Sequence, residues 1–326
     1  MLAFATRRIV GSIPVLLVSS FVVFLLASLA GNPLGPLLAR NPPPPPQTIA
    51  AETARLRLDD PLLSRYWQWL TGLFHGDFGP SVISTLDIGT ELGARFLVTL
   101  RLIAVAMLVA LVLAVVVGVV SAVKQYSITD YSATFLGFLF LSMPSFWLAI
   151  LLKQAGIGFN LALGDQVIFT IGEATPNFQG SFWERIGDVA GHLVLPTISL
   201  ALISYAAWSR YQRSSMLEVL NSDYVRLARA KGLSRTTVLV RHGLRTALIP
   251  LTTVTALDLA AIISGAVVTE QVFQWRGMGD FLLNAIRTDD VYATMAWLLV
   301  TATVVIGFNL LADLLYAVLD PRIRYA

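Results

Sequence analysis

Long apolar runs alternate along this chain with shorter polar stretches, and their lengths set the first expectation. A helix needs about 20 predominantly apolar residues to cross the hydrocarbon core of a bilayer. Six segments meet that requirement, at about 9–30, 98–123, 132–154, 191–208, 249–272 and 292–318. The pattern predicts an all-α integral membrane protein with six transmembrane helices. Arg7 and Arg8 precede the first run and Ser-Leu-Ala closes it, as in a secretory signal. Its apolar stretch exceeds the ~7–15 residues of a signal core, so it is read as a retained helix.

Composition agrees. Of 326 residues 56% are hydrophobic and only 13% charged, with a mean hydropathy of +0.72. Soluble domains carry about 25% charged residues, and a globular surface cannot be covered with half of that. The net charge of +3 is too small to make nucleic acid a natural partner. The absence of cysteine excludes a disulfide framework, a thiolate nucleophile and a cysteine metal site. What the positive charges do tell is orientation, because Lys and Arg near spans favour the cytoplasm. With the N terminus inside, Arg7, Arg8, Lys124, the arginines of 223–250, Arg322 and Arg324 all fall on the cytoplasmic side. Both termini are therefore expected in the cytoplasm.

This organises the chain as a first transmembrane helix (1–30), an extracytoplasmic loop (31–96), a transmembrane domain (97–320) with a cytoplasmic loop at 209–248, and a cytoplasmic tail (321–326). The first outer loop opens with NPPPPP, a stiff polyproline spacer. It continues with PLLSRYWQWLTGLF, whose Leu63, Tyr66, Trp67, Leu70 and Phe74 recur at helical spacing. That stripe is expected to rest at the membrane interface. In the third outer loop, FQWRGMGDFLLNAIRTDD reads as a turn and a small surface helix.

The cytoplasmic loop holds the chain's densest positive charge, in DYVRLARAKGLSRTTVLVRHGLRTALIP from Asp223 to Pro250. Asn221, Ser222 and Asp223 can cap a helix of about nine residues, and Gly232 can end it with positive φ. Tyr224, Leu227 and Ala228 share one face of that helix and Arg226 and Arg229 the other. So short a helix is unstable alone in water, so it packs on its own protein or enters a partner's groove. Ser234 can cap a second helix that feeds the fifth span. An ordinary positive-inside loop would carry the same charge.

The run Arg226-Leu227-Ala228, three residues, Gly232, nine residues and His242-Gly243-Leu244 resembles the "EAA" loop of ABC importer permeases. It departs from that pattern at Arg226, Leu227, His242 and Arg245. The wording around it is similar to the B-type permease subunits of the oligopeptide/dipeptide/nickel branch. So are ARRIVGSIPVLL, LDDPLL…YWQWL…GDFG, SMPSFWLAILL, HLVLPTISLAL, VVTEQVF…GMGDFLLNAI and LDPRIRYA, in chain order. The resemblance implies a type I ABC importer permease fold in a bacterial inner membrane. It also implies a second six-span permease, two ATPase subunits or domains, and an extracytoplasmic peptide-binding protein as partners, with peptide as substrate. ATPase coupling then falls to Asp223, Tyr224, Leu227, Ala228, Ala230, Lys231 and Gly232, while ATP and Mg bind on the ATPase chains. No G-x-x-x-x-G-K-[ST] occurs, so this chain lacks the usual phosphate loop and is expected to hold no cofactor and to be non-catalytic.

Within the spans, Pro144, beside Ser145, and Pro196 each remove a helical hydrogen bond and are expected to kink their helices. Kinks there either line a pathway or serve packing. Asp258 lies mid-span with Ala261 and Gly265 on its face, and an ionisable residue at that depth should face the bundle. Pro144, Ser145, Pro196, Asp258 and Gly265 are the translocation-path candidates. Lys153 is expected to snorkel toward water. His75, His192 and His242 lack metal-ligand spacing and read as solvated or capping residues. Two rivals remain in outline, an ion-coupled secondary transporter using Asp258 and a permease of the same branch carrying nickel or glutathione. An intramembrane enzyme is disfavoured, since no nucleophile–base pair is present.

Overall fold

The computed structural model describes the backbone of residues 2–42, 44–83 and 85–319; side chains 2–5, 8, 9, 30, 36, 257, 259–265 and 311–319 are outside the described residues. No strand occurs among the described residues. The helices are α1 (Leu2–Ala30), α2 (Gly35–Leu38), α3 (Pro46–Arg55), α4 (Leu62–Leu73), α5 (Ile88–Val123), α6 (Ile128–Ser142) and α7 (Ser145–Leu163). They continue with α8 (Phe182–Leu220), α9 (Asp223–Ala230), α10 (Arg235–Thr237), a π-helical turn (Val238–Leu244), α11 (Arg245–Phe273), α12 (Met278–Arg287) and α13 (Val291–Leu319).

Five described segments are long and apolar enough to cross a membrane: Val10–Leu29, Ile88–Val123, Ser145–Leu163, Phe182–Leu220 and Val291–Leu310. Val10, Val15, Val18, Leu26 and Leu29 of α1 are exposed, which suits lipid and not water. The stretch 132–154, expected as one kinked crossing, is two helices. Met143 and Pro144 are extended (ψ 130° and 136°), and α7 starts afresh at Ser145. Proline disfavours the helical region for the residue before it, so Met143 leaves the helix and the chain breaks instead of bending. Pro196 sits buried inside an unbroken α8.

The chain forms two compact units. One comprises Met1–Thr99 with Arg276–Gly307. Its core joins Phe24, Tyr66, Trp69, Ile88, Phe281 and Tyr292. The Tyr66 hydroxyl meets Ser20 Oγ at 2.9 Å, and Arg65 lies 5.7 Å from the Phe24 ring centroid. The stripe expected along α4 is therefore divided: Tyr66 turns inward with Arg65 and Trp69, while Leu63, Trp67 and Phe74 are exposed. Spacing alone could not rank two adjacent apolar faces. The turn before α13 is tied by Asp290, which accepts bonds from Ser81 Oγ (2.6 Å), Val82 N (2.9 Å) and Ala293 N (3.0 Å). Arg95 pairs with Asp280 at 2.5 Å, anchoring α12.

The other unit comprises Leu100–Trp275 with the chain from Phe308. α8 runs through it for 39 residues, started by a capping box in which Ser181 and Glu184 each accept the other's backbone N–H. α8 lies so close to α5 at Gly118 that a Cβ there would stand 2.8 Å from both Gln212 Cβ and Ser209 O. Backbone cannot yield as a side-chain tip can, so the position requires glycine. Gly118→Val should destabilise the detergent-solubilised protein by about 1–3 kcal/mol, the usual cost of overpacking. Gly93→Ala, with nothing within 4 Å, should leave its melting temperature unchanged or slightly raised.

Candidate functional site

The basic arm follows α8. α9 has only eight residues, with Asp223 in its first turn and Arg229 in its last, both suited to the helix dipole. Ser222 occupies the N-cap position, yet its Oγ donates back to Val219 O at 2.6 Å and makes no cap. At the other end Gly232 takes φ +76°, and Leu233 N reaches Ala228 O at 3.4 Å, closing the turn as the glycine leads one to expect.

The faces of α9 are sorted differently from the expectation. Val225 is fully buried and Ala228 is 6% exposed, and both pack on Val238, with Val219 beside them. Tyr224 and Leu227 are 43% and 56% exposed. Ala228 thus belongs to the inner face, and Val225, passed over in the sequence, is its companion. Asp223, Ala230, Lys231 and Gly232 are exposed. A helix wheel shows which residues are neighbours, but it does not say which of two apolar flanks the protein itself covers.

From Gly232 the chain turns, Ser234 Oγ accepts Thr237 N at 3.2 Å, and the π-helical turn continues directly into α11. The turn is seated on the ends of α5 and α8 through Ala122, Met216 and Ala247, with Leu239 alongside. Gly243 faces Met216, where a Cβ would stand 2.9 Å from Cε. A widened turn is compatible with a side chain or backbone that cannot fit a regular helix. α9, its corner and α11 are therefore one continuous packed structure.

A buried ion pair holds the neighbouring corner. Asp130, in the first turn of α6, accepts both Nε (2.8 Å) and Nη2 (2.7 Å) of Arg213 on α8, as well as Tyr126 N (2.9 Å) and Ser121 Oγ. The Arg213 bonds hold the Asp130 carboxyl well below the usual carboxylate range, with Ser121 and Tyr126 adding to them against the opposing effect of burial. Sequence reasoning missed this pair. The signal available was an acid at a helix start (SITD) and an arginine in SRYQR just past the fourth apolar run, separated by 83 positions.

The path candidates are placed as follows. Asp258 on α11 accepts Trp208 Nε1 of α8 at 2.7 Å, so the mid-span carboxylate faces a helix neighbour. Pro144 is exposed at the α6–α7 break and Ser145 opens α7. Pro196 is buried on α8 between Leu195 and Thr197. Among the described residues no hydrogen bond or ion pair joins Pro144, Ser145 or Pro196 to Asp258. Gly265 and Ala261 lie outside the described side chains. Lys153 does not snorkel: its Nζ donates to Val272 O at 2.6 Å, taking a carbonyl near the end of α11. Nor is His192 solvated. It is 5% exposed, stacked on Phe169 at 4.1 Å, with Nδ1 2.9 Å from Asp188 O. No group of three or more His, Cys, Asp or Glu suited to a metal occurs among the described residues.

The structure combines several helices long and apolar enough to cross a membrane with a short helix anchored on one face and exposed on the other. Comparison with known proteins gives the class its name. Residues 114–325 match the family described as binding-protein-dependent transport system inner membrane component, and residues 1–84 match the N-terminal part described for such components. The chain belongs to this family: it is a multi-pass inner-membrane permease subunit of an ABC importer. It is 42% identical over 324 residues to the oligopeptide transport system permease protein OppB of Mycobacterium tuberculosis, covering 99% of both chains. It is 37% identical to the oligopeptide permease AppB of Bacillus subtilis, covering 100% of both. It is 36% identical to the dipeptide permease DppB of Escherichia coli, covering 100% of this chain and 99% of that one. The fold is also that of the MetNI methionine ABC transporter in an inward-facing conformation, at TM-score 0.54 and 15% identity over 70% of this chain and 96% of that one.

Asp130→Asn should cost about 2 kcal/mol, because the variant leaves a partly buried Arg213 without its carboxylate. A depressed folded-state pKa gives stability that is present above the unfolded value of about 3.9 and lost as pH falls below it. The melting difference between wild type and Asp130→Asn should therefore be constant from about pH 8 to 5 and shrink only below about pH 4. A difference that varied around neutrality would contradict the ion-pair assignment.

Proposed function

We propose that this chain forms one half of the translocation pathway of an ATP-driven peptide importer, with α9 as the helix through which separate ATPase subunits drive it. One observation carries the reading: α9 buries Val225 and Ala228 on its own arm while leaving Tyr224 and Leu227 uncovered. A helix stabilised on one side and apolar on the other is suited to entering a partner's groove. The relatives' names supply the substrate class, oligopeptide or dipeptide. On this reading six spans cross the membrane with both termini in the cytoplasm, and a second permease completes the pathway. An extracytoplasmic binding protein delivers the peptide. ATP and Mg are held by the partner ATPases and this chain catalyses nothing.

Leu227→Asp tests the coupling. It places a carboxylate where an apolar contact forms, a burial that costs several kcal/mol if unpaired. A loss of about 3 kcal/mol weakens the contact more than a hundredfold. Because Leu227 is exposed in this chain, the variant should insert and accumulate normally, yet lose peptide uptake and shed its ATPases on purification. Arg226→Ala, whose guanidinium makes only exposed contacts, at 3.5 Å to Asp223 and 3.3 Å to Asn221 O, should do little. Wild-type uptake by Leu227→Asp with ATPases retained would sink the coupling role.

The orientation has its own test, since the native chain has no cysteine. A cysteine at Pro44 should react with an impermeant maleimide on intact cells, and one at Ser234 only after lysis. The reverse pattern would overturn the topology.

A further inference from the structure

The face between α6 and α8 holds an open cavity of about 580 Å³, lined by Thr134, Phe138 and Leu141 from one helix and Arg210, Tyr211 and Ser214 among those from the other. That is within the ~300–1,000 Å³ of small-molecule sites and larger than a single ion needs. Two guanidinium groups border it. Arg213 is committed to Asp130, whose carboxylate already accepts from Arg213, Ser121 and Tyr126. Arg210 has no carboxylate within ion-pair distance among the described residues; its guanidinium lies 4.4 Å over the Phe138 ring centroid. That contact engages the ring face and no oxygen acceptor, so the guanidinium N–H donors are left for a ligand. The hydroxyls of Thr134, Tyr211 and Ser214 add three donors, none hydrogen-bonded to protein among the described residues. The lining thus carries one uncommitted guanidinium and three hydroxyls that can donate, and no carboxylate, with Phe138 and Leu141 supplying an apolar wall.

We propose that this cavity is a subsite for the terminal carboxylate of a transported peptide, with Arg210 as its anion-binding residue and Phe138 and Leu141 as the wall for the adjoining side chain. The inference rests on the peptide reading above. A carboxylate is acceptor-only and matches the guanidinium fork with two parallel bonds. A free inorganic anion would use the donors but leave the wall uncovered. On the proposed orientation Arg210, Tyr211 and Ser214 lie at the cytoplasmic end of α8, so the subsite acts late in import, as the peptide is handed to the cytosol.

The test uses the complete permease–ATPase complex in detergent without the binding protein. It measures equilibrium binding of one radiolabelled leucyl peptide as the free acid and as its C-terminal amide. Wild type should bind the acid roughly tenfold or more tightly than the amide, the usual value of charge-assisted bonds. Arg210→Gln should abolish that preference by weakening the acid alone, and Arg210→Lys should retain part of it. Equal binding of acid and amide by wild type, binding of neither, or an unaltered preference in Arg210→Gln overturns the subsite. Loss of the second permease from the Arg210→Gln complex also overturns it, in favour of an ion pair between subunits. Receptor-dependent uptake of the free acid by wild-type proteoliposomes is measured in parallel. Its absence removes the peptide reading itself, whereas uptake without acid–amide discrimination removes only the subsite.

Discussion

An eight-residue helix has almost no stability of its own in water, because nucleation is costly and few hydrogen bonds follow it. α9 exists because Val225 and Ala228 are buried against Val238. That contact joins the helix to the turn beginning at Val238, and the turn continues without interruption into α11. The same contact decides which side of α9 remains uncovered. Stability and presentation are therefore one event: covering Val225 leaves Tyr224 and Leu227 for something else. The proposed coupling role depends on this arrangement.

The surroundings of the arm are stiffened by interactions of different kinds. Apolar packing of Ala122, Met216 and Ala247 seats it on α5 and α8. The Asp130–Arg213 pair fastens the α5–α6 corner to the lower part of α8. Further along, Trp208 and Asp258 link α8 to α11, and Lys153 takes a carbonyl near the end of α11. In a bilayer, where water cannot serve as partner, polar groups within the spans such as Asp258 and Lys153 have to be satisfied inside the protein. These links give displacement at α9 a continuous packed route into the membrane helices.

Long-period features were legible in the sequence because they depend on local chemistry. Runs of about 20 apolar residues mark membrane helices whatever their neighbours are. Gly232 signalled its positive φ, and Ser234 its cap, without any tertiary information. What could not be read were choices made by packing partners distant in the chain. The α4 stripe offered two apolar faces, and only the Phe24 and Tyr292 environment selects Tyr66 and Trp69 over Trp67. Lys153 was expected in water because long side chains usually reach it, but an α11 carbonyl lies closer. His192 had no visible partner until Phe169 folded over it. Pro144 was foreseen as a disruption, and whether a proline bends or breaks a helix depends on whether the preceding turn can be re-satisfied.

On the proposed coupling role, the packing of Val225 on Val238 makes α9 and the start of the arm move as one body. The direct measurement places cysteines at Val225 and Val238, whose side chains are packed together, in the assembled importer, and compares peptide uptake by the same variant when reduced and when cross-linked. Rigid movement predicts equal uptake in the two states, because the cross-link only fixes a contact that never opens. Uptake that falls on cross-linking and returns with reductant would show that α9 pivots away from its arm during transport, and would contradict the account.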